Sequence, residues 1–443
     1  MRYLLLSCVF IMMGYATTQA QAPQGPIKVE IRKNGTSWQI LRDGKPYYVR
    51  GVGGQVYMDK AKAYGANSVR TWAAADASQI LDEAHELGLS VLFGLWVGQE
   101  RQGFDYDDGK AVKAQFENFK NIVQTYKDHP AILMWGIGNE NDLMYSDYKV
   151  WNAINDIAKM IHEEDPNHPT MTVTAGIDVA EVQLIKERAP HIDVYGINTY
   201  GGLIGIDKEI RSYGWDGPYM ITEWGPNGHW EVPTTEWGAP IEQTSSVKAD
   251  KYKERYQKGI ANDPEMCVGS YVFQWGQKQE TTPTWYGVFL NTGEETEVMD
   301  NLEYLWTGRY PNNRSPHIYS LKIDNKNAYE SVYIKPGKPY TIVADVKDPD
   351  NDEMTYHWQI LESEFGLTGS GGDAEKSPDP VKIRYDKNTK DIVSADEKWL
   401  KIKDTGTLMF KAPTKPGAYR FFVYAKDGNG NVATANIPFY VKR

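Results

Sequence analysis

The sequence predicts an α/β protein: a (β/α)8 TIM barrel followed by a smaller C-terminal β-sandwich of the immunoglobulin-like type. Strand-like apolar runs alternate with helical ones eight times between Tyr47 and Trp275, the pattern of a closed parallel barrel. No Gly-rich phosphate turn follows the first of these runs, which makes an open doubly wound sheet the poorer fit. Beyond the polar, proline-bracketed stretch around Arg309 to Ser315, helical spacing gives way to period-two alternation, the mark of half-buried strands.

Each element has its own signal. Residues 1–22 combine Arg2, an apolar run from Tyr3 to about Tyr15, and Ala20-Gln21-Ala22, the form of a cleaved export signal. The run is short for a membrane span, which needs about 20 apolar residues. Leu5-Leu6-Ser7-Cys8 is a weak match to a lipoprotein box, since the apolar stretch continues past Cys8. Turns at Asn34-Gly35 and Asp43-Gly44 predict a hairpin placed to plug the bottom of a barrel. The eight strands are expected at Tyr47–Val52, Ser68–Trp72, Ser90–Trp96, Ile132–Glu140, Thr170–Thr174, Val194–Tyr200, Tyr219–Trp224 and Val268–Trp275. Helical spacing between them is clearest at Ser78–Leu87, Lys110–Tyr126, Tyr148–Glu163 and Lys248–Ile260. The expected domains are a signal peptide (1–22), the barrel with its hairpin (23–311) and the sandwich (315–443).

Composition narrows the ligand. A formal charge of −11 repels nucleic acid phosphates and anionic headgroups, which leaves a neutral or cationic ligand. Aromatic residues reach 12%, with 14 Trp and 29 Tyr, many in loop-like segments where flat rings suit sugar faces. Loss of Cys8 with the signal leaves Cys267 as the sole thiol, so no intrachain disulfide forms in the expected secreted or periplasmic location.

A polar residue ending an apolar barrel strand points at the mouth where active sites sit. The fourth strand closes on Gly138-Asn139-Glu140 and the seventh on Thr222-Glu223-Trp224-Gly225. Ends of strands four and seven face across the mouth, compatible with the ~5–5.5 Å carboxyl separation of a retaining glycosidase. Such chemistry needs unequal carboxyls, a proton donor and an ionised nucleophile. Arg70, ending the second strand, is a fixed cation able to keep Glu223 ionised, which makes Glu140 the acid/base.

These residues resemble glycoside hydrolase clan A, and most closely the barrel domain of family 2 enzymes, over about Tyr47 to Trp306. The resemblance implies a retaining β-glycosidase, and it places the sugar 2-hydroxyl contact on Asn139. It also expects a site arginine (Arg70), a hydrogen-bonding tyrosine after strand six (Tyr200) and a tryptophan floor after strand eight (Trp275). Full family 2 enzymes carry β-sandwiches before the barrel, whereas here one follows it. Families 5, 17 and 72 share the clan's logic, and family 72 members are transglycosylases.

The expected function is hydrolysis of a β-linked glucan or related glycan by double displacement. A transglycosylase using the same residues, and a non-catalytic glycan-binding protein, are the alternatives. Trp96, Trp224, Trp230, Trp237, Trp285 and Tyr286 are candidate sugar-stacking or core residues. His229 is a loop residue, and Glu280 is a spare carboxylate near the mouth. His162 to His168 lacks zinc-helix spacing and reads as a helix end and a turn. Asp348, Asp350 and Asp352 have calcium-type oxygens but an incomplete ligand set, so they read as a turn. No cofactor and no metal ligand set is expected. The partner is an oligo- or polysaccharide, with no nucleic acid and no membrane span after signal cleavage.

Overall fold

The computed structural model describes residues 25–363, 377–386, 392–395 and 398–443. The expected signal segment lies outside them. Strands β1 (Val29–Asn34), β2 (Ser37–Arg42) and β3 (Lys45–Pro46) form a small antiparallel sheet. Then β4 (Val49–Gly53), β5 (Ser68–Arg70), β6 (Ser90–Leu95), β7 (Ile132–Ile137), β8 (Thr170–Ala175), β9 (Val194–Asn198), β10 (Tyr219–Trp224) and β11 (Cys267–Val272) close a parallel barrel. Helices α1 (Met58–Ala63), α2 (Ala77–Glu86), α3 (Gly109–Tyr126), α4 (Lys149–Glu164), α5 (Val179–Arg188), α6 (Ile206–Ser212), α7 (Ser245–Arg255) and α8 (Glu297–Thr307) follow the strands in turn.

Barrel strands are apolar on both faces because each is covered twice. All six residues of β6, SVLFGL, are buried. Inside the barrel, Leu92, Met134, Met171, Val194, Met220 and Tyr271 pack together with Val29 and Ile40 of the hairpin. The hairpin therefore caps the amino-terminal end, tied down by Val29 N to Asn167 O at 2.8 Å and Trp38 N to Glu265 O at 2.6 Å. Tyr271 fills the space left by Gly51, where a β-carbon would stand 2.1 Å from its ring. Outside, helices present apolar stripes, such as Trp151, Ile154, Ile157, Ala158 and Ile161 of α4. Asp108 and Asp178 cap α3 and α5 by accepting from first-turn amides.

The sandwich begins with β12 (His317–Ile323) and continues through β13 (Val332–Ile334), β14 (Pro339–Lys347), β15 (Thr355–Glu362), β16 (Pro380–Val381), β17 (Arg384–Tyr385), β18 (Ile392–Ala395), β19 (Leu400–Lys403) and β20 (Thr407–Lys411). It ends on the long pair β21 (Gly417–Lys426) and β22 (Val432–Val441). Sheets led by β12–β14 and by β22–β21–β15 enclose one core around Ile342, Trp358, Phe410, Phe421 and Phe439. The stretch before it, read from sequence as a linker, is a fastened joint. Asp300 of α8 accepts from Arg314 Nε (2.9 Å), Ser315 N (2.9 Å) and Ser315 Oγ (3.1 Å). The His162 to His168 stretch is a helix end, with His162 against Asp193 and His168 against Asp165, each at 2.8 Å. No described helix is long and apolar enough to cross a membrane.

Candidate active site

A cavity of about 610 Å³ opens at the carboxyl ends of the barrel strands, and Glu140 and Glu223 both line it. Strand geometry explains how Glu223 gets there. In β10, Met220 points into the barrel and Ile221 out toward the helices, so strict alternation would send Glu223 outward. The pairing of β10 with β9 slips between Ile221 and Glu223. That irregularity reverses the alternation, as bulges do, and Glu223 turns into the cavity.

The same slip corrects the expectation for Trp224. It is fully buried on the outer side, packed on Tyr252 of α7 and on Tyr256, and does not line the cavity. Trp275 is likewise no floor: β11 ends at Val272, and Trp275 lies buried beyond it against Phe289 with Nε1 donating to Tyr57 O. Phe273 and Gln274 line the cavity instead.

Glu140 sits just past β7 in a turn of unusual backbone. Gly138 has φ 79° and Glu140 φ 52°, a region disfavoured for a residue with a β-carbon. Glu140 N donates to Val173 O at 2.9 Å, and Asn139 N to Asn141 Oδ1 at 3.1 Å. These bonds hold the carboxyl at the mouth. Burial first, and then the charge of Glu223, raise its pKa well above the ordinary carboxylate range, against a lowering hydrogen bond from Asn198.

Glu223 has different company. Arg70 Nη1 lies 3.1 Å from Oε1, Trp72 Nε1 donates to Oε1 at 2.7 Å, and the Tyr200 hydroxyl donates to Oε2 at 3.0 Å. Three donors converging on acceptor-only oxygens suit an anion. Arg70 also reaches Asn139 Oδ1 at 2.7 Å and Thr222 O at 2.7 Å. Asn198 ties the halves together. Its Nδ2 donates to Glu140 Oε1 (2.9 Å) and Asn139 Oδ1 (3.1 Å), and its Oδ1 accepts from Thr222 Oγ1 (2.8 Å). With Asn139 Oδ1 occupied, the amide nitrogen of this cavity-lining residue carries no hydrogen bond among the described residues.

The structure thus brings Arg70, Asn139, Glu140, Tyr200 and Glu223 together. Trp96, 36% exposed, and Trp230, 57% exposed, stand at the rim. Tyr286 lines the wall, whereas Trp285 is buried with Nε1 on Asn227 O. Trp237 is away from the mouth, against Tyr333 and Tyr440 of the sandwich. Glu280 lines the cavity in an ion pair with Lys278 at 2.7 Å, with His229 Nε2 at 3.7 Å. Sequence reasoning passed over Trp72 and Asn198. Both lie in motifs already in view, two residues past Arg70 and two before Tyr200, where strand ends turn side chains toward the mouth.

The closed barrel thus holds two carboxyls at its mouth in differing surroundings, Glu223 buried and Glu140 part-buried. Residues 57–226 match the family model described as glycosyl hydrolases family 2, TIM barrel domain, so the chain carries a family 2-like barrel. It is 25% identical over 188 residues to the β-glucuronidase of Chlorocebus aethiops, covering 37% of this chain and 27% of that one. It is 26% identical over 161 residues to the β-galactosidase of Thermoanaerobacter pseudethanolicus, covering 36% and 19%. The chain therefore spans about a third or less of the length of these curated relatives. Among solved structures, an FMN-binding β-glucuronidase from Facaelibacterium prausnitzii L2-6 superposes with a TM-score of 0.51 at 16% identity. That match covers 94% of this chain and 59% of that one, and it speaks to the fold alone.

Proposed function

We propose that the protein is a secreted or periplasmic retaining β-glycosidase acting on a β-linked glucan or related glycan, with Glu223 as nucleophile and Glu140 as acid/base. The observation that carries this reading is the asymmetry of the two carboxyls, one gathering three donors and the other part-buried with a raised pKa. Glu223 attacks the anomeric carbon while Glu140 passes its proton to the departing glycosidic oxygen, leaving a glycosyl ester. Ester formation removes the charge on Glu223, Glu140 becomes more acidic, and it then takes a proton from the attacking water. Asn139, with its free amide hydrogens, is placed to bind a sugar hydroxyl.

The charge of the cavity bears on the sugar. Its lysine, Lys278, is paired with Glu280, and Glu231 adds another carboxylate at the wall. A sugar carboxylate would meet like charges, an arrangement that costs several kcal/mol when buried, so a neutral sugar fits better than an uronic acid. Aromatic rings at the rim, Trp96 and Trp230, offer stacking surfaces for further sugar units.

The test is Glu223→Ala assayed on a panel of neutral and uronic aryl β-glycosides with and without azide. Turnover is expected to vanish without azide and to return with it as a glycosyl azide of inverted configuration. The wild type is expected to favour the neutral members. A fully active variant would end the nucleophile assignment, and product analysis on oligosaccharides separates water from a sugar acceptor.

A further inference from the structure

We propose that the sandwich carries a calcium site formed by Asp348 and Asp352, in the loop between β14 and β15, and Asp427, in the turn between β21 and β22. Each of the three offers a carboxylate oxygen, and these oxygens lie within 4.8 Å of one another. The acidic turn alone does not make this group. Asp350 is occupied elsewhere, accepting from Arg314 N at 2.7 Å, and Asp427 takes its place from a distant part of the chain.

The second observation is an orphaned buried oxygen. Asp348 is 5% exposed, and its Oδ1 accepts from the amides of Asp350 and Asp352, each at 2.9 Å. Its Oδ2 is buried with no donor among the described residues. Asp427, 4% exposed, receives the amides of Asn429 and Asn431 and the side chains of Asn313 and Asn431. Asn429 Nδ2 donates to Asp352 Oδ2 at 2.8 Å. Among the described residues no Lys, Arg or His forms an ion pair with any of the three.

Three neighbouring carboxylates, two of them buried, repel one another and leave a lone pair without hydrogen. A divalent cation reverses that cost. An all-oxygen ligand set on loops favours calcium, which accepts irregular geometry, over magnesium, which demands a near-octahedral shell, and over metals that prefer nitrogen or sulfur.

The position gives the ion a purpose. The β14–β15 loop is held to the joint through Arg314 N, which donates to Asp350, and the β21–β22 turn through Asn313 Nδ2, which donates to Asp427. The β21–β22 turn pairs with the barrel through Glu295 N to Gly430 O at 2.9 Å and Val432 N to Glu295 O at 2.8 Å. Calcium here would clamp together the loops on which the sandwich meets the barrel.

The experiment is a calorimetric titration of calcium chloride into the full chain after chelator treatment, with thermal unfolding alongside. Binding is expected with a Kd of about 0.1–1 mM, the range of extracellular oxygen sites. At tenfold excess the Tm should rise by about 2–4 °C. Asp427→Asn and, separately, Asp352→Asn should weaken binding at least about tenfold, while Asp350→Asn should leave it within about twofold. No heat and no Tm shift by about 10 mM calcium would overturn the proposal. So would equal affinity for magnesium, or loss of binding in Asp350→Asn with retention in the other two. The wild-type titration decides even if a variant fails to fold.

Discussion

Glu140 and Glu223 are the same side chain in two environments, and every difference between them is imposed by neighbours. Glu140 is bonded to the Asn198 amide, while Glu223 faces a guanidinium, an indole N–H and a phenol. Part of the raised pKa of Glu140 comes from the charge of Glu223. In Glu223→Gln that charge is gone, so the Glu140 carboxyl should titrate at lower pH, as read from the ¹³C carboxyl shift; an unmoved titration would deny the coupling. In the wild type the raised value keeps the acid form present through neutral pH, and the alkaline limb of kcat/KM should follow loss of that proton. Arg70 and Glu140 were legible because each ends or closely follows an unmistakable apolar run, whereas Asn139 and Tyr200 were expected from the resemblance to family 2 barrels. Trp72 and Asn198 were not singled out, since nothing in a linear string says that an indole or an amide at a strand end will face a particular carboxyl.

At the scale of elements, strand ends decide the site. All eight barrel strands were legible from their apolar runs, but the sequence extended several of them past their true ends. The resemblance placed Trp275 as a floor at the end of an overrun β11, and Trp224 was expected at the mouth because the slip that turns it outward leaves no mark in the sequence. Neither a strand end nor a bulge has a composition signal here, because both are set by how neighbouring strands pair. The turn after β7 shows what such local geometry controls. A β-carbon on Gly138 would stand 2.4 Å from Asn141 Oδ1, at φ 79°. Gly138→Ala should therefore cost about 1–3 kcal/mol in urea unfolding and lower kcat more than it raises KM, because Glu140 follows in the same turn. Unchanged stability and kcat would show that the turn accommodates a side chain freely.

Across the whole molecule, the barrel and sandwich meet through a buried polar network. Glu242 pairs with Lys248 of α7 at 2.5 Å, accepts from Thr282 and Thr284, and is also bonded by Asn436 of β22. Ser245 and Ser246, opening α7, accept from Thr434 N and Ile318 N, each at 2.9 Å. Arg420 of β21 donates to Asn436 and to Pro240 O. Removing one partner of a buried pair strands the other charge, at about 3–5 kcal/mol. Glu242→Ala should lower unfolding stability by that order, and urea melts of the full chain would measure it. The pair's attraction to Lys248 leaves the Glu242 carboxyl below its ordinary value despite burial. Its contribution is therefore present above the unfolded-state carboxylate range and lost as pH falls through the lower folded value.

The sequence by itself determined the barrel, the following sandwich and the positions of the two glutamates, because these depend on periodicity and on which residue closes an apolar run. Only the tertiary structure decided which tryptophans are core, which aspartate joins Asp348 and Asp352, and how Arg70, Trp72 and Tyr200 converge on Glu223. Those outcomes rest on register, strand ends and contacts between residues far apart in the chain. Such contacts are fixed by the packing of whole elements, and no local pattern records them.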